Sequence, residues 1–363
     1  MNFDFSEDQR RLQEEVRKVL ADHSTSTNVR RVLDGEALYC AATWKALAEV
    51  GALGVAIPEA QGGAGMGLLE LCLIAEEAGR ALAAIPLLSS IYMAAETIRR
   101  AGSEAQQATW LPRLAAGELI AAAMLAPASE QVLAGPAPTL DSDRLTATFN
   151  AVPDGMSAGL AVLLVGDAVV LLDLNADGVA RNTQASIDPT RPLARIRCDQ
   201  APVEVLTATG GAALAESVTD GAAVLLAFEQ VGGAEAALYA ARDYAQQRKA
   251  FGRLIGSFQA VKHKLADIYV ALELARAHAY FGAWALATGA DALPRAAAAA
   301  RVAATEAYTL AAEESLHLHG GIGYTWEVDC HLHLRRARWI GQIIGSKFMW
   351  TDRLADSLIA EAA

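Results

Sequence analysis

Gln247-Arg248-Lys249-Ala250-Phe251-Gly252, followed by Ser257-Phe258-Gln259 and much later by His319-Gly320-Gly321-Ile322-Gly323-Tyr324, is the stretch on which the reading of this chain turns. Each segment closes or opens a long helical pattern. Together they set a fixed cation, an aromatic ring, an amide and a backbone free of side chains at helix ends. That set suits a dinucleotide, whose pyrophosphate is negative, whose rings are flat and whose riboses carry hydroxyls. A guanidinium matches phosphate because its planar fork donates two parallel hydrogen bonds. Taken singly, the parts have plainer uses. Arg248 at a helix C-terminus can neutralise the dipole, and a glycine there can be an ordinary cap. Three glycines in the four residues Gly320 to Gly323 exceed what a cap needs.

Working outward, Asp220–Gln247, Ser257–Thr288 and Leu293–His319 are predicted helices well beyond the usual three to four turns. With a shorter one from Asp329, they make an antiparallel four-helix bundle the natural arrangement. Gly232-Gly233 inside the first would weaken it by roughly 1 kcal/mol per glycine relative to alanine. Such a pair is expected where a neighbouring helix or a ligand approaches the backbone. At the other end, Ser6-Glu7-Asp8-Gln9 reads as a capping box, and further helices are expected over Ala41–Ala52, Leu68–Ala81, Ser90–Ala101 and Ala105–Ala116. Between the helical parts prolines accumulate (Pro127, Pro136, Pro138, Pro153). Leu145–Phe149, Ala161–Val165, Ala168–Leu172 and Arg195–Cys198 read as strands, with Asp167 as a turn. The expected fold is mostly α with a small β domain: an N-terminal helical domain over residues 1–118, a central β-barrel-like domain over 119–215, and a C-terminal four-helix bundle over 216–363.

The chain has 363 residues, enough to bury a large core, and is 53% hydrophobic and rich in alanine, which favours packed helices. A net charge of −12 argues against nucleic acid, which draws on clustered Lys and Arg. Met1-Asn2-Phe3-Asp4-Phe5 has neither a basic nor an apolar leader region. The most apolar run, Leu160 to Leu172, contains Asp167 and is too short for a membrane span. A soluble cytoplasmic protein is expected. Cys40, Cys72, Cys198 and Cys330 lie far apart without CxxC spacing, so neither disulfides nor a zinc ribbon is indicated. His317 and His319, like His331 and His333, are two apart and would point about 200° apart on a helix, so no metal site is expected. Gly62-Gly63-Ala64-Gly65 lacks dinucleotide-fingerprint spacing and reads as a loop.

The segments Gln247–Gly252, Ile255–His263 and Leu318–Trp326, running on into His333-Leu334-Arg335-Arg336-Ala337, resemble the FAD-dependent acyl-CoA dehydrogenases. The helix–β–helix order is also that family's order, so the resemblance covers essentially the whole chain. It implies FAD as cofactor, an acyl-CoA substrate, an oxidoreductase step of fatty-acid or steroid β-oxidation, and an electron-transferring flavoprotein as acceptor. It further implies that Arg248 contacts the FAD diphosphate, Phe251 packs beside the cofactor and Gln259 hydrogen-bonds it. The Gly320-Gly321 turn would meet the adenosine half of a flavin held mainly by a neighbouring subunit. His317 stands where the family often has Gln.

The same resemblance exposes two gaps. Removing a weakly acidic α-proton needs a polarised thioester carbonyl and a carboxylate within hydrogen-bond reach. The family keeps that Glu in a turn that falls here on Ile343-Ile344-Gly345-Ser346, with Ile344 in its place. Its other location falls on Ala222, followed by Ala223 where the family commonly has Arg. Glu229, seven residues after Ala222, returns to nearly the same helix face but about 10 Å further along. It is the one candidate for a relocated base and reads more simply as a partly buried interface residue. Leu125-Ala126-Pro127-Ala128-Ser129-Glu130 replaces the family's Leu-Thr-Glu-Pro segment, and its Trp-bearing strand is unrecognisable near Asn150-Ala151-Val152-Pro153. The pattern therefore resembles a subunit of the unequal-subunit acyl-CoA dehydrogenases of bacterial steroid degradation. Such a chain donates FAD contacts to a second acyl-CoA dehydrogenase subunit that carries the Glu. The alternatives are a self-sufficient homotetramer using Glu229 and a flavin-free assembly subunit.

Overall fold

The computed structural model describes residues 5–125 and 137–362. The segment Ala126–Glu130, with Pro136, lies outside the described residues. The chain opens with α1 (Glu7–His23), α2 (Ser26–Leu33), α3 (Ala41–Glu49), α4 (Leu68–Arg80), a π-helical stretch Leu87–Ala95, α5 (Glu96–Ala101) and α6 (Glu104–Ala115). Strands follow as β1 (Ala121–Met124), β2 (Thr139–Asp141), β3 (Arg144–Pro153), β4 (Leu160–Val165), β5 (Ala168–Asp173), β6 (Val179–Gln184) and β7 (Leu193–Thr207). The rest is α7 (Gly211–Gln247), a hairpin of β8 (Lys249–Ala250) and β9 (Arg253–Leu254), α8 (Gln259–Thr288), α9 (Leu293–His319), α10 (Cys330–Ile343) and α11 (Lys347–Ala362). The fold class is the expected one: helices, a central β part and a helical bundle. By packing, the chain divides into two compact units. One comprises Met1–Ser26, Cys72–Ala83 and Ala223–Ala363; the other comprises Thr27–Leu71 and Ala84–Ala222.

In the bundle unit, the end of α4 crosses α7 with the two backbones in direct contact. A Cβ at Gly79 would lie 1.9 Å from the Glu229 carbonyl oxygen, and one at Gly232 would lie 1.9 Å from that of Glu76. At Gly233 a Cβ would run into the Tyr308 ring at 2.5 Å. The glycine pair is therefore there for neighbouring protein, not for a ligand. Charged groups ring the crossing. Arg80 donates to Glu77 and Glu235, Arg276 donates to Glu76 at 2.6 Å and Glu235 at 3.0 Å, and Arg17 of α1 holds Glu77 through two bonds of 2.8 Å. Each carboxylate buried beneath α1 thus meets guanidinium, as burial of charge demands. Arg336 of α10, itself buried, donates to the Ala83 and Leu82 carbonyls just past the end of α4. The capping box at Ser6 forms both of its bonds.

In the other unit, β7 serves two sheets. Its first part pairs with β3 and β6, and its last part pairs with β5, which continues to β4 and β1. The change falls between Pro202, still paired with β3, and Val203, paired with β5, just after a bulge in which Gln200 takes φ +52°. Ala194, Ile196 and Cys198 face inward, and Arg195, Arg197 and Asp199 face out. Two expectations need correction. The helix expected over Ser90–Ala101 is π-wound up to Ala95. All nine residues of that stretch are buried, Ser90 Oγ accepts from the Ala121 amide at 3.1 Å, and Ser89 donates to Asp154 at 2.6 Å. Bonds to the sheet hold this wider winding, and local pattern cannot reveal them. The helix expected from Asp220 starts instead at Gly211, because Asp167 reaches back to accept from the Gly210 and Ala212 amides at 2.8 and 3.0 Å. Those bonds hold the Asp167 carboxyl below its usual range. The helix α7 is long and apolar enough to cross a membrane by length and composition, but 72% of its most apolar window is buried in protein, as in a core helix.

Two outcomes test this packing. Gly232→Ala pushes a methyl into a carbonyl of α4 and should destabilise the protein by about 3 kcal/mol in urea unfolding; a change below about 1 kcal/mol would contradict the crossing. The second concerns His333, whose Nδ1 lies within hydrogen-bond distance of the Tyr308 hydroxyl, at 3.1 Å. Burial, aided by the Arg336 charge, pulls its imidazole down to about 4. The unfolded chain takes that proton near pH 6.5 and the native one does not, so stability falls as pH drops through this window. Wild type should lose about 1–2 kcal/mol more than His333→Gln between pH 7 and pH 5. Parallel profiles would refute it.

Candidate functional site

The last turn of α7 leads straight into the hairpin. The Arg248 amide donates to the Tyr244 carbonyl at 2.8 Å, and the Arg248 carbonyl accepts from Ile255 at 2.8 Å. These two bonds leave the guanidinium exposed beside the turn. Between β8 and β9 the connection is two residues, Phe251 at φ +53° and Gly252 at φ +81°. Positive φ at both positions is the type I′ turn, which matches strand twist but favours Asn or Gly. A phenylalanine there costs about 1–2 kcal/mol, and its ring is 94% exposed. Among the described residues the ring's one aromatic contact is edge-on to Phe258 at 6.3 Å, which offsets only part of that cost. Gln259, also exposed, opens α8, where Phe258 offers no side-chain cap.

The other glycine segment ends α9. Gly320 takes φ +63°, ψ −143°, a conformation reserved for glycine. A Cβ at Gly321 would meet nothing within 4 Å, so the chain's own packing does not require glycine there. His317 is exposed on the last turn, with Nδ1 3.8 Å from Glu314. His319 points inward and stacks on Tyr244, ring centroids 4.3 Å apart at 25°. This stack brings the α7 end and the α9 end together, so Arg248, Phe251 and the Gly320 turn share one end of the bundle unit. Sequence reading met His319 in a glycine motif and in a rejected metal pair, gave it no part in positioning, and missed Tyr244 altogether. The available signal was its position one helical turn before Arg248.

The two positions where the resemblance places a base are closed. Ala222 and Ala223 are wholly buried, and Ile344 is 6% exposed. Glu229 is not partly but almost fully buried, at 1%. Its charge acts on Arg301, a guanidinium that burial pulls down to about 9 against the opposing influence of Glu229. Arg301 donates to Gln230 at 2.7 Å and to the Ile340 carbonyl, joining α7, α9 and α10. In the β part, Asn150 and Ala151 form a bulge with Ala151 at φ +53°. The Ala151 amide donates to Gln184 Oε1 at 2.6 Å, so a backbone donor facing this bulge is already engaged by the chain's own side chain. Among the described residues no cluster of His, Cys, Asp and Glu converges as a metal site, and the four cysteines are buried free thiols.

Residues 6–118 match the model of the acyl-CoA dehydrogenase N-terminal domain, and residues 209–359 match that of the acyl-CoA dehydrogenase C-terminal domain. The chain is 36% identical over 346 residues to acyl-CoA dehydrogenase IpdE2 of Mycobacterium tuberculosis, covering 94% of each. Among solved structures, a variant of the Tcur3481-Tcur3483 steroid ACAD is similar at 31% identity and a TM-score of 0.89 over 98% of both chains. The ChsE4-ChsE5 complex from Mycobacterium tuberculosis is similar at 26% identity and 0.89 over 99% of both. This chain belongs to the acyl-CoA dehydrogenase family. FAD is the cofactor of that family of oxidoreductases. The exposed end of the bundle unit fits such a group: a free-standing guanidinium, an aromatic ring held at a conformational cost, and an open glycine backbone.

If Phe251 is held in a costly turn for a ligand's sake, Phe251→Asn should stabilise the isolated chain by about 1 kcal/mol, since Asn-Gly is the preferred pair for this turn. The same variant should bind less flavin in its functional assembly. Urea unfolding and flavin content measured together check this; unchanged stability would remove the strain argument.

Proposed function

We propose that this chain is one half of a heteromeric acyl-CoA dehydrogenase, giving FAD contacts to a second dehydrogenase subunit that supplies the catalytic glutamate. The observation that carries the reading is a contrast in exposure. Arg248, Phe251, Gln259, Gly320 and Gly321 are open to solvent, while Ala222 and Ile344, where a base would stand, are apolar and buried. Similarity to the Tcur3481-Tcur3483 and ChsE4-ChsE5 proteins, each with two different chains in its name, supports an unequal pairing. Similarity to a steroid ACAD supports a bulky acyl-CoA thioester as substrate. The compartment is the cytoplasm, and an electron-transferring flavoprotein takes the electrons.

In this scheme the flavin, when bound, would supply the hydride acceptor for the acyl β-carbon. The chain's own residues bind and orient. Arg248 pairs with the diphosphate, a charge-assisted contact roughly twice as strong as a neutral one. Phe251 excludes water beside the cofactor, and Gln259 hydrogen-bonds it. Gly320 and Gly321 admit the adenosine, with His317 where the family often has Gln. Glu229 is a counter-charge for Arg301 and not a base: it is 1% exposed, and its charge acts on that guanidinium inside the bundle.

The chain expressed alone should be nearly colourless and inactive. Co-expressed with an acyl-CoA dehydrogenase partner that retains the Glu, it should co-purify as a yellow complex that turns over acyl-CoA, with Arg248→Ala stripping most of the flavin. Full flavin loading and turnover by the lone chain, abolished by Glu229→Gln, would establish the self-sufficient alternative instead. A colourless complex would point to an assembly subunit.

A further inference from the structure

We infer that the stacked ring pair Tyr244–His319 is a positioning element that fixes the separation of the two FAD-binding segments, the Arg248 hairpin and the Gly320 turn. The inference rests on the trans-binding reading above. Each segment is joined through the main chain to one of the two ring-bearing residues. The Arg248 amide is bonded to the Tyr244 carbonyl at 2.8 Å, and Gly320 follows His319 in the chain. The rings lie 4.3 Å apart and 25° from parallel. His319 is 8% exposed and cannot swing, because its Nδ1 lies 2.7 Å from the Ser315 carbonyl. A carbonyl only accepts, so Nδ1 carries the hydrogen and the ring plane is set. Beyond the reversal at Gly320 the chain folds back over this ring. A Cβ at Gly323 would sit 3.1 Å from that of His319 and 2.5 Å from the Leu316 carbonyl oxygen. On the α7 side, Gly256 packs equally closely on the Ala245 carbonyl, anchoring the exit of the hairpin.

The physical demand is clear. Diphosphate and adenosine are parts of one molecule, so a cation for the first and a backbone cradle for the second must stand at a set distance. Helix ends fray and move more than helix centres. A ring stack between two helix ends removes that freedom before the ligand arrives, which lowers the cost of binding. Misplacing such groups by an ångström can cost two orders of magnitude. Neither ring needs to touch the cofactor for this.

The test uses the co-expressed complex, with FAD affinity measured by titrating the deflavinated protein well below its melting temperature. Tyr244→Leu and His319→Leu should each weaken FAD by about tenfold or more, Tyr244→Phe should stay within about twofold, and the double Leu variant should be little worse than either single one. Inorganic pyrophosphate, a competitor reaching only the Arg248 segment, should inhibit FAD uptake with the same constant in all variants. If the Leu variants melt earlier yet bind FAD as wild type does, the pair merely supports the fold and the inference fails. Equal losses for FAD and pyrophosphate would also overturn it, as general damage to the Arg248 site. Arg248→Ala separates the two levels. If that variant keeps its flavin, the trans-binding reading itself falls; if it loses flavin while the ring variants keep theirs, only the positioning role does.

Discussion

Backbone contact between α4 and α7 at Gly79 and Gly232 is the constraint on which the bundle unit depends. Two helices can approach this closely only where neither bears a Cβ, and here carbonyl oxygens occupy the space. The approach brings Glu76 and Glu77 of α4 under α1 and against α7 and α8, so three arginines must converge to keep those charges paired. A buried carboxylate left alone would cost several kcal/mol. The glycines and the arginines are therefore one solution to one packing problem, and neither group is free to serve a ligand.

This division of labour explains why the polar chemistry of the unit reads as structural in its middle and functional at its end. Arg301, Gln230 and Thr305 lie in the interior, their bonds run to one another and to the Ile340 carbonyl, and the charge of buried Glu229 acts on Arg301. Such a network defines a single arrangement of α7, α9 and α10 because any slip would leave a buried donor unmade. Arg248, Gln259 and His317 have the opposite character, exposed and lightly held. Guanidinium and amide groups retained in water are ready for a partner, and the costly turn that displays Phe251 belongs with them. That contrast, exposed polar groups at one end and apolar buried side chains at Ala222 and Ile344, is what the proposed division of binding and proton transfer between two subunits rests on.

Much of this was legible in the chain itself. The α9 helix runs over the expected Leu293–His319, because a long alanine-rich periodic pattern ends in glycines that cannot continue it. Ser6 caps α1 as its spacing to Gln9 requires. The strands around Asp167 fall where β-branched runs place them. The glycine pair in α7 announced a close approach, although not what approaches.

What the chain could not show are the bonds made across long separations. The π-helical winding at Leu87–Ala95 follows from Ser89 and Ser90 reaching Asp154 and Ala121, and the early start of α7 follows from Asp167. Glu229 looked like an available carboxylate until its burial near Arg301 was seen. Tyr244 carries no motif and gains meaning only against His319. Side-chain period and capping chemistry determined most of the helices and strands, and the resemblance of the Gln247–Gly252, Ile255–His263 and Leu318–Trp326 segments gave the family. The tertiary structure decided which polar groups are consumed by neighbours and which remain for a ligand, because burial and pairing depend on residues far apart in sequence.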